Sequence, residues 1–129
     1  MPKRIVLIDD DSNTNTLNKL IIERSNLVDE IIIFHSPVEA LDYFNKRSDD
    51  KKGSLVLLDI NMPIMDGWEF LKYYASQNKN EKVDNVVMLT SSIDRGDQRL
   101  AEENEFVSEM VSKPLTLRMI NVLVKTYLK

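Results

Sequence analysis

Five polar residues stand where short apolar runs stop. Asp9 and Asp10 follow "IVLI" (5–8), Asp59 follows "LVLL" (55–58), Thr90 follows "VVML" (86–89), and Lys113 follows the weaker "MVS" (110–112). In an open parallel sheet the carboxyl ends of the strands lie on one edge, and ligands bind there where the winding direction reverses. Asp9, Asp10 and Asp59 would then converge, with Thr90 and Lys113 beside them. Carboxylates in close contact repel by about 4 kcal/mol per pair at an effective dielectric near 20, so such a group keeps a proton or takes up a cation. All-oxygen donors suit a hard ion, and Mg²⁺ takes only one or two carboxylates while keeping waters for a phosphoryl oxygen. Two positive centres, a hydroxyl and an ionised carboxylate are the parts that a phosphoryl group requires.

The elements that must position these residues are legible as well. The four clear apolar runs, the three above and "IIIF" (31–34), are short and rich in β-branched residues, which favours strands. They are apolar at consecutive positions, as in strands covered on both faces of a parallel sheet. The intervals read as helices. "SNTNTLNKLIIERS" sets Leu17, Leu20, Ile21 and Arg24 at helical spacing. "SPVEALDYFNKR" opens on Ser36 with Glu39 as a capping box and Pro37 at the first helical position. "DGWEFLKYYASQ" repeats the device with Asp66 and Glu69, and Phe70, Tyr73 and Tyr74 supply its apolar faces.

A fourth helix over about 94–105 has few anchors beyond Leu100 and Ala101, so it should be the most loosely held element. The fifth is capped by Thr116. Its first apolar stripe is Leu117, Ile120, Val124 and Tyr127, and a second is Met119, Val122 and Leu123. The second stripe either packs against the sheet and the fourth helix or forms a partner-binding or self-association face. The polar runs 47–54 and 76–85 read as solvated connections. Five β units alternating with five α units imply an α/β fold, a flavodoxin-like, doubly wound five-stranded parallel sheet of order 2-1-3-4-5 with five helices.

The chain has 129 residues, the size of one ordinary domain, with 43% hydrophobic and 29% charged residues. The net charge of −4 and the scattered lysines and arginines argue against a nucleic-acid surface. With no cysteine there is neither a disulfide framework nor a thiolate metal site. No apolar run approaches the roughly 20 residues of a membrane helix, and the first residues turn charged too early for a signal peptide, so the expected location is cytoplasmic with no membrane partner.

With Asp9–Asp10 after "IVLI", the block "LLDINMPIMDGWE" (57–69), "LTSS" (89–92) and "SKPL" (112–115), the chain resembles a receiver domain of bacterial two-component response regulators, the family of the chemotaxis response regulator. The four signatures are weak singly and specific together, and the likeness covers essentially the whole chain. It implies a stand-alone receiver over 1–129 without an effector domain. Asp59 would accept phosphate from a phosphohistidine, supplied by a sensor histidine kinase or a histidine phosphotransfer protein. Asp10 would bind Mg²⁺ directly, Asp9 largely through water, and the main-chain carbonyl of Asn61 would be a further ligand. Thr90 would turn to the phosphoryl group and Lys113 would pair with it, in a phosphoacceptor that assists its own phosphorylation and dephosphorylation and is not an enzyme. The peptide before Pro114 would be cis. The output would be a changed surface of helix four, strand five and helix five that meets a downstream protein target. Met110 stands where the family has an aromatic switch residue, so coupling through strand five should be weaker or different.

Plainer readings compete at several positions. A carboxylate cluster also suits a helix N-terminus, and that reading is preferred for Asp11. A calcium loop fails, because Thr14 replaces the turn glycine and Leu20 the final glutamate. His35 reads as a boundary residue, Trp68 as packing and the methionines mostly as filler. Two other functions stand beside the switch. A degenerate receiver acting as a constitutive interaction module would not need Asp59, Thr90 and Lys113 together. An aspartyl-nucleophile phosphatase needs a second carboxylate two residues past the nucleophile, where this chain has Asn61.

Overall fold

A computed structural model describes residues 2–47, 53–77 and 83–129. Its elements alternate without exception: β1 (Arg4–Ile8), α1 (Ser12–Ser25), β2 (Glu30–Phe34), α2 (Pro37–Lys46), β3 (Leu55–Asp59), α3 (Gly67–Gln77), β4 (Asn85–Thr90), α4 (Arg95–Glu103), β5 (Val107–Ser112) and α5 (Leu117–Tyr127). All strand pairings are parallel, in the order β2-β1-β3-β4-β5. This is the flavodoxin-like doubly wound fold expected from the sequence. The fifth strand starts at Val107, three residues before the "MVS" run. Its register against β4 shifts between Val86 and Val87, and it is only half covered, which is why its hydrophobic pattern is weak.

Two apolar layers flank the sheet. On one side α2 and α3 bury Ala40, Leu41, Phe44, Phe70, Leu71 and Tyr74 against Val6, Ile8, Val56, Leu58, Val86 and Met88. On the other, α1 and α5 bury Ile22, Ile120, Leu123 and Val124 against Ile5, Leu7, Leu55, Leu57, Val87 and Leu89. The central strands alternate between these layers, so each needs apolar residues at consecutive positions. The outer strands β2 and β5 are only partly covered.

Helix caps follow the sequence signals. Asp11 caps α1, accepting from the main-chain nitrogens of Asn13 (2.9 Å) and Thr14 (3.3 Å). Ser36 caps α2 with Pro37 behind it, Asp66 accepts from the Glu69 nitrogen (2.9 Å), and Thr116 accepts from the Met119 nitrogen (3.2 Å). Gly67 is a close-packing position: a Cβ there would come within 2.9 Å of the main-chain oxygen of Asp59. Its own nitrogen donates to the Ile60 oxygen at 2.8 Å, which draws the start of α3 against the end of β3.

Several faces differ from the periodicity reading. In α1 the inward stripe is Asn15, Asn18 and Ile22, whereas Leu17 and Leu20 are 61% and 51% exposed. Asn15 turns inward because the main-chain oxygen of Asp9 at the end of β1 accepts from its Nδ2 (2.9 Å), and apolar periodicity cannot see such a partner. Tyr73 of α3 is exposed while Leu71 takes its place in the core. In α5, Leu123 is buried and Met119 packs beside it, so these two belong to the core; Leu117 and Val122 face outward. The neighbour of α5 is α1, which shares its side of the sheet, in place of the expected α4.

The polar connections, too, are not simply solvated. Parts of both runs, 48–52 and 78–82, lie outside the described residues, but Ser54 and Asp84 from their ends are buried. Asp84 accepts from Arg47 through both oxygens (2.8 Å each), from the Ser54 nitrogen (2.9 Å) and from the Tyr74 hydroxyl. Short polar segments flanking strands look solvated in sequence, yet here they meet at the amino-terminal edge of the sheet.

Candidate functional site

The carboxyl-terminal edge gathers the acidic residues. Ile8 and Leu58 are register partners of β1 and β3, so one further step along each strand places Asp9 beside Asp59. Both are buried, at 3% and 4% exposure, whereas Asp10 is exposed. Carboxylate oxygens of Asp9, Asp10 and Asp59 all lie within 4.8 Å of one another. Lys113 reaches this group from the β5–α5 connection, its Nζ 3.0 Å from Asp9 Oδ2 and 3.1 Å from Asp59 Oδ1. The Lys113–Pro114 peptide is cis, as the resemblance implied.

Charge at this edge is unbalanced: three carboxylates face one ammonium. Burial raises the Asp59 pKa above the ordinary carboxylate value, and the neighbouring Asp9 charge raises it further, against the opposing pull of Lys113 and a hydrogen bond from the Asn61 nitrogen (3.3 Å). For Lys113, burial disfavours the charge, but hydrogen bonds and charges of Asp9 and Asp59 outweigh it and hold the ammonium above the usual lysine range. A hard divalent cation fits such a donor set: the oxygens are clustered, one carboxylate is open to solvent, and their surplus negative charge lacks a counterpart among the described residues.

Other sequence candidates fall nearby in different ways. Thr90 ends β4 one residue beyond Leu89, the register partner of Asp59, and is buried. Its hydroxyl is engaged with the β4–α4 loop, donating to the Ser92 oxygen (3.0 Å) and accepting from the Ser92 nitrogen (3.2 Å). Asn61 is exposed just past Asp59. Met110 sits opposite Met88 in β5, half-buried against the layer formed by α2 and α3, so it packs toward the core without a polar group to engage Thr90. His35 is an exposed boundary residue, as expected.

Sequence reasoning passed over two contacts. Asn15 donates from Nδ2 to the main-chain oxygen of Asp9 (2.9 Å). Trp68 is half-buried as packing, but its Nε1 also donates to Asp97 Oδ1 of α4 (3.0 Å). An asparagine within a helix whose leucines suggested another face carries no periodic signal, and a tryptophan's hydrogen-bond partner 29 residues away carries none at all.

Comparison with known proteins gives one answer. The family profile of the response regulator receiver domain matches residues 5–125. The alkaline phosphatase synthesis transcriptional regulatory protein PhoP of Bacillus subtilis is 30% identical over 129 residues, all of this chain and 50% of PhoP, so the chain spans half of that relative. A two component response regulator from Cytophaga hutchinsonii superposes with a TM-score of 0.83 at 34% identity, covering 97% of this chain and 96% of that one. A two-component response regulator from Legionella pneumophila gives 0.81 at 26% identity over 96% of each chain. Among the described residues no helix is long and apolar enough to cross a membrane.

Proposed function

Because the chain belongs to the response regulator receiver family, in which the domain is a signalling phosphoacceptor that works with histidine kinases or phosphotransfer proteins, we propose that Asp59 is the residue phosphorylated. The single observation that carries this is the seat of Lys113 Nζ between Asp9 and Asp59, in a cluster of three carboxylates. An Asp59 oxygen attacks the phosphorus of a phosphohistidine; the P–N bond breaks, its electron pair stays on the imidazole nitrogen, and an acyl phosphate forms. Such transfer passes through a loose transition state that needs mainly positioning and charge neutralisation. Lys113 supplies the neutralisation on the protein's side and lowers the cost of ionising Asp59. Asp10, Asp59 and the main-chain carbonyl of Asn61, with Asp9 largely through water, would hold Mg²⁺, which would supply charge neutralisation at the phosphoryl oxygens.

The output follows from Thr90. To donate to a phosphoryl oxygen, its hydroxyl must release the Ser92 oxygen, which frees the loop leading into α4. That helix buries none of its residues, so a shift of its start meets little packing resistance. A hydrogen bond from Trp68 to Asp97 ties this helix to α3, so a shift of its start would strain or break that bond. The surface that changes is α4, the outer strand β5 and α5, and its partner is a downstream protein.

The test is direct. Wild-type protein incubated with Mg²⁺ and phosphoramidate should gain one labile phosphoryl group by mass spectrometry, and Asp59→Asn should gain none. No adduct on the wild type would leave a constitutive interaction module as the function.

A further inference from the structure

The inward face of α1 is polar where a leucine would pack. Asn15 is 1% exposed, with its Nδ2 2.9 Å from the main-chain oxygen of Asp9 and 3.1 Å from Nδ1 of His35. Exchanging the amide oxygen and nitrogen would press two acceptors together at Asp9, so the nitrogen faces both partners. The amide oxygen, Oδ1, is buried with no hydrogen-bond partner among the described residues. A buried acceptor left unsatisfied is a cost that an apolar side chain of similar size would avoid. The donor side must therefore account for the asparagine.

What it holds is the peptide that joins the two acidic residues. The oxygen of Asp9 and the nitrogen of Asp10 share one plane, and both side chains depart from its ends. This plane is the last part of the Asp9 backbone to be fixed: the Asp9 nitrogen donates to the Phe34 oxygen (3.2 Å), and Asp9 Oδ1 accepts from the Asp11 nitrogen (2.9 Å). Without Asn15 the peptide oxygen would lose its partner from α1, and the plane could rotate. The contact to His35 ties the same amide to the end of β2, so three segments meet at one side chain.

We propose that Asn15 is a positioning residue of the acidic pocket, holding the Asp9–Asp10 peptide so that both carboxylates converge on Asp59, and that it thereby sets the affinity for the divalent cation. The inference rests on the reading of this pocket as a Mg²⁺ site. Groups that orient metal ligands typically contribute about 10- to 100-fold to affinity when lost; a main-chain contact to a partly solvated site belongs at the lower end, about tenfold.

The probe is Mg²⁺ itself, titrated calorimetrically into wild type, Asn15→Leu and Asn15→Ala, with each protein also melted in EDTA. Both variants should bind Mg²⁺ about tenfold more weakly, and Asn15→Leu, which exchanges the unsatisfied Asn15 oxygen for an unpaired Asp9 oxygen, should still melt cooperatively in EDTA. Phosphorylation by phosphoramidate should fall at limiting Mg²⁺ and recover at saturating Mg²⁺. Unchanged Mg²⁺ affinity in a folded variant overturns the proposal, as does a rate that saturating Mg²⁺ does not restore. Failure of both variants to fold overturns it too, since Asn15 would then be a determinant of the fold. A wild-type protein with no Mg²⁺ isotherm removes the metal-site reading and this inference with it, an outcome distinct from equal binding by wild type and variants.

Discussion

The two ends of the sheet each bury an aspartate against a cation, and they balance charge in opposite ways. At the amino-terminal edge Asp84 accepts at both oxygens from Arg47 Nη1, and also from the Ser54 nitrogen and the Tyr74 hydroxyl, so its negative charge and lone pairs are answered. Arg47 in turn lies over the Phe44 ring at 5.1 Å. At the carboxyl-terminal edge one lysine bonds two of three clustered carboxylates, Asp9 and Asp59. A satisfied cluster has no use for another ligand and does structural work; an unsatisfied one stores repulsion that a cation and a phosphoryl group can relieve. Burial of a charge is thus no mark of function, but incomplete compensation is.

The largest effect that can break this contrast is at Asp59. Asp59→Asn should abolish the phosphoryl adduct while making the apoprotein more stable at neutral pH. The sign follows from its raised pKa. Between the ordinary value of 3.8 and the higher folded one the native state binds more protons than the unfolded state, so stability falls as pH rises through that interval. The variant lacks this fall. In EDTA its melting temperature should exceed that of wild type near neutrality, and the gap should close in acid; a lower melting temperature at neutral pH would show that the edge is not electrostatically strained.

At the other end the expectation reverses. Asp84→Ala removes the buried carboxylate on which Arg47, the Ser54 nitrogen and the Tyr74 hydroxyl converge and should cost about 3 kcal/mol in urea unfolding, while the folded fraction still forms the adduct. Between these extremes stands Lys113→Met. Loss of charged hydrogen bonds to Asp9 and Asp59 should lower stability in EDTA by about 2 kcal/mol and slow phosphorylation. The contribution of Lys113 is fully present below pH 10.5, its ordinary value, and is lost as pH rises through the higher folded one. Added Mg²⁺ should restore much of the stability, because it replaces the missing positive charge. Melting curves with and without Mg²⁺ check this.

The contrast also explains what could be read in advance. Asp9, Asp59, Thr90 and Lys113 announced themselves because each terminates an apolar run, and in a parallel sheet a strand's end is a place in space. The strand order followed from the alternation of elements, and caps such as Asp11, Ser36 and Asp66 act within three residues. Asn15, Asp84 and the Trp68–Asp97 pair gave no comparable sign. Their partners are 6 to 37 residues away and polar, and a polar residue in a polar stretch looks solvated until the chain brings a donor or acceptor to it. Likewise Leu17 and Leu20 share a helical stripe yet stay exposed, because Asn15, Asn18 and Ile22 set the inward face of α1.

The smallest predicted effect concerns Trp68, the one tryptophan of the chain, which makes its fluorescence a clean report on the tie to α4. Its indole is half-buried against the layer of α2 and α3 while its N–H reaches Asp97 in the first turn of α4. Asp97→Ala removes that acceptor without touching the core and should cost about 1 kcal/mol at most. Emission should nonetheless shift, because the N–H is released to solvent. If α4 moves when Thr90 abandons Ser92, phosphorylated wild type should show the same kind of shift, and phosphorylated Asp97→Ala should show little more. An Asp97→Ala spectrum identical to wild type would mean that the helix is held by its contacts with β5 alone. A phosphorylation-dependent shift that persists undiminished in Asp97→Ala would place the coupling elsewhere, with Met110 in the half-covered strand as the next side chain to vary.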